Sequence, residues 1–283
     1  MVAAALCVYA IAFASTADAA ARMRIVSLAP SVTETLFALG AGPEVVGVSQ
    51  YCDYPPQVRA LPRVGSFLTP NLEAIIALRP TLVVGLELSS DVRQIRALNS
   101  MGYPVLLVSD DSLHEIETSI VRVGARINRE DEARRLVSQI ESQIAAVKER
   151  LANVKPLRAL MLVGHQPIVA VGAGTYLDEL MRIARADNIA AAAGEQWPHL
   201  SMEFIIAMRP EVILDGAMGS DAATSNDFWE KYPTIPAVRD HRVCGYAEDP
   251  TLHAGPRVGQ SLEIIARKIH PEAWQSAGAG VSQ

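Results

Sequence analysis

One stretch of this chain is written twice. Asn71-Leu-Glu-Ala-Ile-Ile-Ala-Leu-Arg-Pro80-Thr-Leu-Val-Val returns as Ser201-Met-Glu-Phe-Ile-Ile-Ala-Met-Arg-Pro210-Glu-Val-Ile-Leu, with Glu73 answering Glu203 and Pro80 answering Pro210. Each copy reads as a polar N-cap, a short amphipathic helix, an Arg-Pro stop and a β-branched strand. Proline cannot continue the helix, so the chain turns into the sheet there. The copies start about 130 residues apart, far beyond the ~20–50-residue period of stacked repeats, which marks a duplicated lobe and not an array. A cleft between two such lobes is the first place to look for a ligand.

The 283 residues suffice for one large or two modest domains. The chain is mildly acidic, with a formal net charge of −6, and shows no basic cluster. Nucleic acid and anionic membrane surfaces are therefore set aside as partners, since phosphate binding needs concentrated Lys and Arg. Residues 1–19 read as a signal peptide: Val2 to Ala14 is apolar and Ala17-Asp18-Ala19 offers a small-x-small cleavage site near Ala19. The basic n-region is missing, and Leu6 before Cys7 argues against lipid attachment. An exported, periplasmic protein is expected, and a monomer. Cys52 and Cys244 lie in opposite halves and read as small buried hydrophobes; a bridge requires Cα atoms within about 7 Å.

Strands are expected at Arg24–Leu28, Val45–Ser49, Leu82–Gly85 and Val105–Val108, with helices over 71–79 and 91–101 between them. Ser31 and Glu34 read as a capping box ahead of Leu36, Phe37 and Leu39. The second half repeats the plan: strands over 158–163, 211–214 and 242–246, and helices over 175–185, 201–208 and 256–269. This alternation predicts α/β architecture, two Rossmann-like lobes with parallel sheets, over 22–127 and 155–272. A polar tail closes the chain over 273–283. Between the lobes, Ala133, Leu136, Val137, Ile140, Ile144, Val147 and Leu151 recur at helical spacing. They predict a single long α-helix over 128–154, a stiff brace between the lobes.

The segment Gly47-Val-Ser-Gln-Tyr51-Cys-Asp53-Tyr54-Pro55-Pro56, the Asn71-Leu-Glu73 helix and the long connecting helix together resemble the periplasmic vitamin B12-binding proteins of ABC importers. The likeness runs over about 22 to 270. Tyr-x-Asp-Tyr-Pro-Pro is fairly specific to the cobalamin branch, whereas the duplicated Glu helix belongs to the wider group that also binds haem and ferric siderophores. The resemblance implies that Tyr51, Phe67 and Trp197 are cleft aromatics. Asp249 and His253, ahead of Ala254-Gly-Pro256-Arg257, fall where the C-terminal lobe offers an acid and a base to the ligand. Leu86 and Ile168 stand where well-known members carry aromatics, and His253 replaces an arginine. The resemblance further implies that Glu73 and Glu203 dock onto arginines of a dimeric permease that works with an ATPase.

Elementary chemistry is compatible with those roles. A corrin is a broad, flat, amide-fringed disc, which suits aromatic faces and a few rim hydrogen-bonding groups. Each ring also fits ordinary packing, Asp53 to Pro56 fits a turn, and either glutamate fits a helix N-terminus through the macrodipole. No Gly-x-Ser-x-Gly, His-Glu-x-x-His, Cys-x-x-Cys or Walker sequence occurs, so no catalytic constellation can be assembled. His165, His199 and His253 share no helix face, and no dedicated metal site or cofactor is expected. The expectation is a non-enzymatic receptor for a corrinoid, cobalamin first. Haem or a ferric siderophore is the alternative of the same class, and a secreted enzyme on the same lobes the alternative of another.

Overall fold

Along the central strands, successive side chains are buried on both sides. In β1 (Ile25–Ser27) and β3 (Leu82–Leu86), Ile25, Leu82 and Val84 join one hydrophobic cluster while Val26 and Val83 join another. A strand with no polar face must lie in a sheet covered on both sides, which is the environment of parallel α/β layers. The computed structural model describes residues 23–89, 93–216, 227–246 and 249–275. The leader expected over 1–19 and residues 276–283 of the tail expected over 273–283 lie outside the described residues, while the start of that tail, 273–275, is helical.

The first sheet is wholly parallel, in the order β2-β1-β3-β4, with β2 at Val45–Val48 and β4 at Val105–Val108. In the second, β5 (Leu157–His165) is flanked by β7 (Ala186–Asn188) and by β8 (Val212–Asp215), and β8 pairs with β9 (Val243–Gly245). The path β7-β5-β8-β9 therefore repeats β2-β1-β3-β4. One strand departs from the all-parallel expectation: β6 (Ile168–Ala170) runs antiparallel against the far end of β5. The connection is only two residues long, which permits antiparallel return but not a parallel crossover.

The duplicated helices, α2 (Leu72–Ala77) and α7 (Met202–Met208), agree down to their termini. Asn71 Oδ1 accepts from the Ala74 N–H at 3.0 Å, and Ser201 Oγ accepts from the Phe204 N–H at 3.2 Å. Each helix buries one isoleucine, Ile75 or Ile205, and runs out at an arginine in the left-handed region, Arg79 at φ 46° and Arg209 at φ 51°. Pro80 and Pro210 follow, both buried.

The capping box does not form. Helix α1 (Pro30–Ala38) starts with Pro30 in its first turn and Ala29 as a cap without a side-chain bond. Ser31 and Glu34 are both buried and turned to distant partners, whose charge-assisted bonds outcompete a local cap. Three further helices were not foreseen: α4 (Leu113–Arg126), α8 (Pro236–Arg239) and the short α10 (Glu272–Gln275). The remaining helices are α3 (Arg93–Ser100), α5 (Glu130–Arg150), α6 (Tyr176–Ile183) and α9 (Val258–Ile269).

The connecting helix α5 has 21 residues, a rod about 31 Å long at 1.5 Å per residue. It is shorter than 128–154 because Asn128 takes a left-handed φ of 57° before it and the Leu151 N–H closes on Val147 O after it. Its buried stripe, Ala133, Ile140, Ile144 and Val147, packs against α4 and α9. Gly259 makes the second approach possible, since a Cβ there would stand 2.8 Å from Gln143 Cβ. One hydrophobic cluster runs through both lobes and α5, from Leu36, Val84 and Ile120 through Ile140 and Ile144 to Met161, Leu214 and Leu262. The lobes thus share a core as well as a connector. Cys52 and Cys244 are both free thiols.

Candidate functional site

Parallel strands deliver their carboxyl ends, and the loops that follow, to one side of each lobe, which is where ligands bind in such sheets. Tyr51 stands in the turn after β2 and is 55% exposed. That turn is anchored from below. Arg63 donates to the carbonyls of Ser49, at 3.0 Å, and of Cys52, and the buried Cys52 thiol sits between the hydroxyls of Ser49 and Thr33. Desolvation pushes that thiol above its ordinary pKa, so it is an inert packing group. Phe67 lies half-buried in a turn closed by the Ser66 and Thr69 hydroxyls at 2.8 Å.

Trp197, 45% exposed, projects from a loop pinned on both sides of it: Gly172 N–H donates to Gln196 O at 2.8 Å and Ala170 N–H to Pro198 O at 3.0 Å. The backbone is fixed while the ring is left out. Among the described residues Tyr51 and Trp197 form no ring contact with each other. They are separate outward faces on opposite lobes. Asp249 opens a short 3-10 turn, Asp249–Leu252, and its side chain lies outside the described part.

His253 has a more specific position. Its Nδ1 lies 3.0 Å from Glu34 Oε1, across the lobe junction. Arg257 donates to the same carboxylate twice, Nε to Oε2 at 2.7 Å and Nη2 to Oε1 at 2.6 Å, and lays its guanidinium 3.8 Å from the centroid of the Tyr54 ring. Sequence reasoning had Glu34 as a cap, Arg257 only as a neighbour of His253, and Tyr54 as a turn residue. The junction continues through Ser31, whose hydroxyl donates to Asp110 Oδ2 at 2.9 Å, and through Glu179, which accepts from the Leu113 N–H at 3.1 Å. Burial pushes the Asp110 carboxyl up to about 6. A cavity of about 20 Å³ lined by Ser31, Asp110, Ser119 and Gly255 lies here, room for about one water. The junction itself thus holds no space for anything larger than water.

A second polar knot went unforeseen. At the carboxyl ends of β5 and β8, the buried Asp215 receives the Trp229 indole N–H at 2.8 Å and His165 Nε2 at 2.7 Å. Phe228 stacks flat on His165, centroids 4.3 Å apart. The only sequence signal was an aspartate directly after the apolar run Val212 to Leu214. His165 and His253 are thus engaged by different carboxylates, and among the described residues no three His, Cys, Asp or Glu side chains gather as a metal site.

Residues 25–250 match the family described as periplasmic binding protein. The chain belongs to that family. Its fold is the solute-binding fold of ABC importers, class III, with two α/β lobes joined by a helix. It is 28% identical to the vitamin B12-binding protein of Pectobacterium atrosepticum over 259 residues, which covers 90% of this chain and 91% of that one. Among solved structures, the periplasmic heme-binding protein RhuT from Roseiflexus sp. RS-1, in apo form, superposes with a TM-score of 0.78 at 31% identity, covering 89% of this chain and 99% of that one. The periplasmic vitamin B12 binding protein BtuF of Vibrio cholerae superposes with a TM-score of 0.77 at 25% identity, over 89% and 98%. All three are named as binding proteins.

In this binding protein Glu73 and Glu203 are both exposed, each in the first turn of its copy of the repeated helix. Glu203 is held below the usual carboxylate range by its own backbone N–H and then by the Ser201 hydroxyl. Among the described residues no helix is long and apolar enough to cross a membrane.

Proposed function

We propose that this chain is an exported receptor that captures a corrinoid, cobalamin, between its lobes and delivers it to the permease dimer of an ABC importer. The observation that carries the reading is the pairing of outward rings on pinned loops with a junction whose charges are already matched. Tyr51 and Trp197 offer flat apolar faces on opposite lobes, and their loops are held by the protein's own hydrogen bonds, so that binding costs little ordering. Arg257 is committed to Glu34 and Tyr54. The junction therefore suits an electroneutral, amide-fringed rim better than a pair of carboxylates seeking free cations. The name of the relative from Pectobacterium atrosepticum supports the same choice.

Capture is non-covalent and needs no cofactor of the protein's own. Tyr51, Phe67 and Trp197 take the disc, while Asp249 and His253 meet its rim. Glu73 and Glu203 form a pair of negative contacts for the permease, away from the ligand. Export to the periplasm through the leader over 1–19 completes the reading.

A haem reading stands second, favoured by the likeness to the heme-binding protein of Roseiflexus. Side-by-side titration of the purified protein with cyanocobalamin, haemin and a ferric siderophore, followed by absorbance and calorimetry, separates them. Saturable binding of one cyanocobalamin with no haemin shift supports the corrinoid reading. A haemin Soret shift without cobalamin binding replaces it with haem.

A further inference from the structure

We propose that Glu34 sets the tautomer of His253 and thereby makes His253 a selective acceptor for an amide N–H on the ligand's rim. The inference rests on the corrinoid reading for its ligand, and on the geometry alone for the tautomer. Glu34 is 3% exposed, and Arg257 donates to both of its oxygens. A bidentate guanidinium stabilises the ionised carboxylate, which can only accept. His253 Nδ1, 3.0 Å from Oε1, must then carry the proton. In its neutral form the imidazole has one N–H, and with that proton on Nδ1 the Nε2 is a bare lone pair.

Among the described residues Nε2 has no protein partner, and the side chain is 18% exposed. The ring is anchored at Nδ1, with its other nitrogen available to a bound molecule. An acceptor fixed in this way takes a primary amide, which donates, and opposes a carboxylate, which only accepts. The cost of leaving two acceptors facing each other is what gives polar sites their discrimination. Glu34 touches no ligand in this account; it is a positioning residue, and His253 is the group that reads the rim. The sequence had placed an acid and a base here without saying which proton the base would hold.

Two measurements test this. The first is ¹⁵N NMR of the imidazole in the unliganded protein at pH 7.5. The Nδ1–H form is expected at His253, and Nε2–H or imidazolium would overturn the proposal. Glu34→Gln should shift the ring toward Nε2–H; because that variant also weakens the buried pair with Arg257, the wild-type spectrum alone is decisive. The second compares cyanocobalamin with its three monocarboxylic acids, in each of which one rim amide is hydrolysed. One acid is expected to bind wild-type protein at least tenfold more weakly, and His253→Arg to narrow or reverse that ratio. Equal binding of all four by wild-type protein would overturn the amide selectivity. Absence of cyanocobalamin binding would instead overturn the corrinoid reading, with the tautomer result standing or falling by its own spectrum.

Discussion

Arg257 grips Glu34 from the opposite lobe with two charge-assisted bonds, at 2.7 and 2.6 Å, while its other face lies 3.8 Å from the Tyr54 ring. Both members of the pair are buried. Removing one partner of such a pair leaves an uncompensated buried charge, so Arg257→Met should destabilise the protein by about 3–5 kcal/mol, whereas Glu34→Leu with Arg257→Met should recover most of the loss. Urea unfolding of the three proteins checks both halves. A single variant within about 1 kcal/mol of wild type would show that the bridge is not desolvated in solution.

Asp110 predicts an inverse pH dependence. Burial raises its folded-state value from 3.8 to about 6, so between those values the folded protein holds a proton the unfolded chain has released. Stability therefore falls as pH rises through that window, and ionised Asp110 weakens the fold at pH 7. Asp110→Asn keeps an acceptor for Ser31 and removes the charge. Melting at pH 7.5 should rise, by an amount corresponding to about 1–2 kcal/mol, with little change at pH 4. Parallel melting curves for the two proteins across pH 4 to 8 would assign the pH dependence to other groups.

A hydrophobic cluster continuous through both lobes and α5 leaves little room for hinge motion, because packed cores do not shear freely. X-ray scattering of free and cobalamin-saturated protein should give radii of gyration within about 1 Å of each other. Contraction by several ångströms would mean that the lobes part in solution.

Glu73 and Glu203 occupy matched sites, yet each is also where a helix N-terminus welcomes an acid. Glu73→Ala with Glu203→Ala should leave cobalamin affinity unchanged and abolish stimulation of the cognate importer's ATPase, with Arg at both positions worse than Ala. Normal transport by the double alanine variant would reduce both glutamates to helix caps.

Much of the frame was legible because it is carried by local periodicity. The repeat between Asn71 and Pro80 announced two lobes, and the heptad-like stripe from Ala133 to Val147 announced the connector. Helix α4 was missed although Ser112 accepts from the Glu115 N–H at 3.2 Å, a local cap readable as Ser-x-x-Glu. Strand β6 was hidden because three residues after a tight turn carry too little pattern. The junction was illegible for a different reason. Ser31 and Glu34 have the spacing of a capping box, and only the packing of α1 against the loop before α9 gives Glu34 a better partner 223 positions away. Likewise, nothing around Asp215 disclosed that Trp229 and His165 would meet on it. Local signals report local bonds; contacts between lobes emerge only with the fold.

The claim that a corrinoid lies between rings of the two lobes is tested most directly at Trp197, which is pinned by its neighbours and 45% exposed. Calorimetric titration with cyanocobalamin should give one site in wild-type protein. Trp197→Ala should weaken that site by about 1–3 kcal/mol, the value of burying such a ring against a ligand, with Tyr51→Ala in the same range and melting temperatures unchanged. Equal affinity in wild type and Trp197→Ala, or no heat in either, would contradict the account.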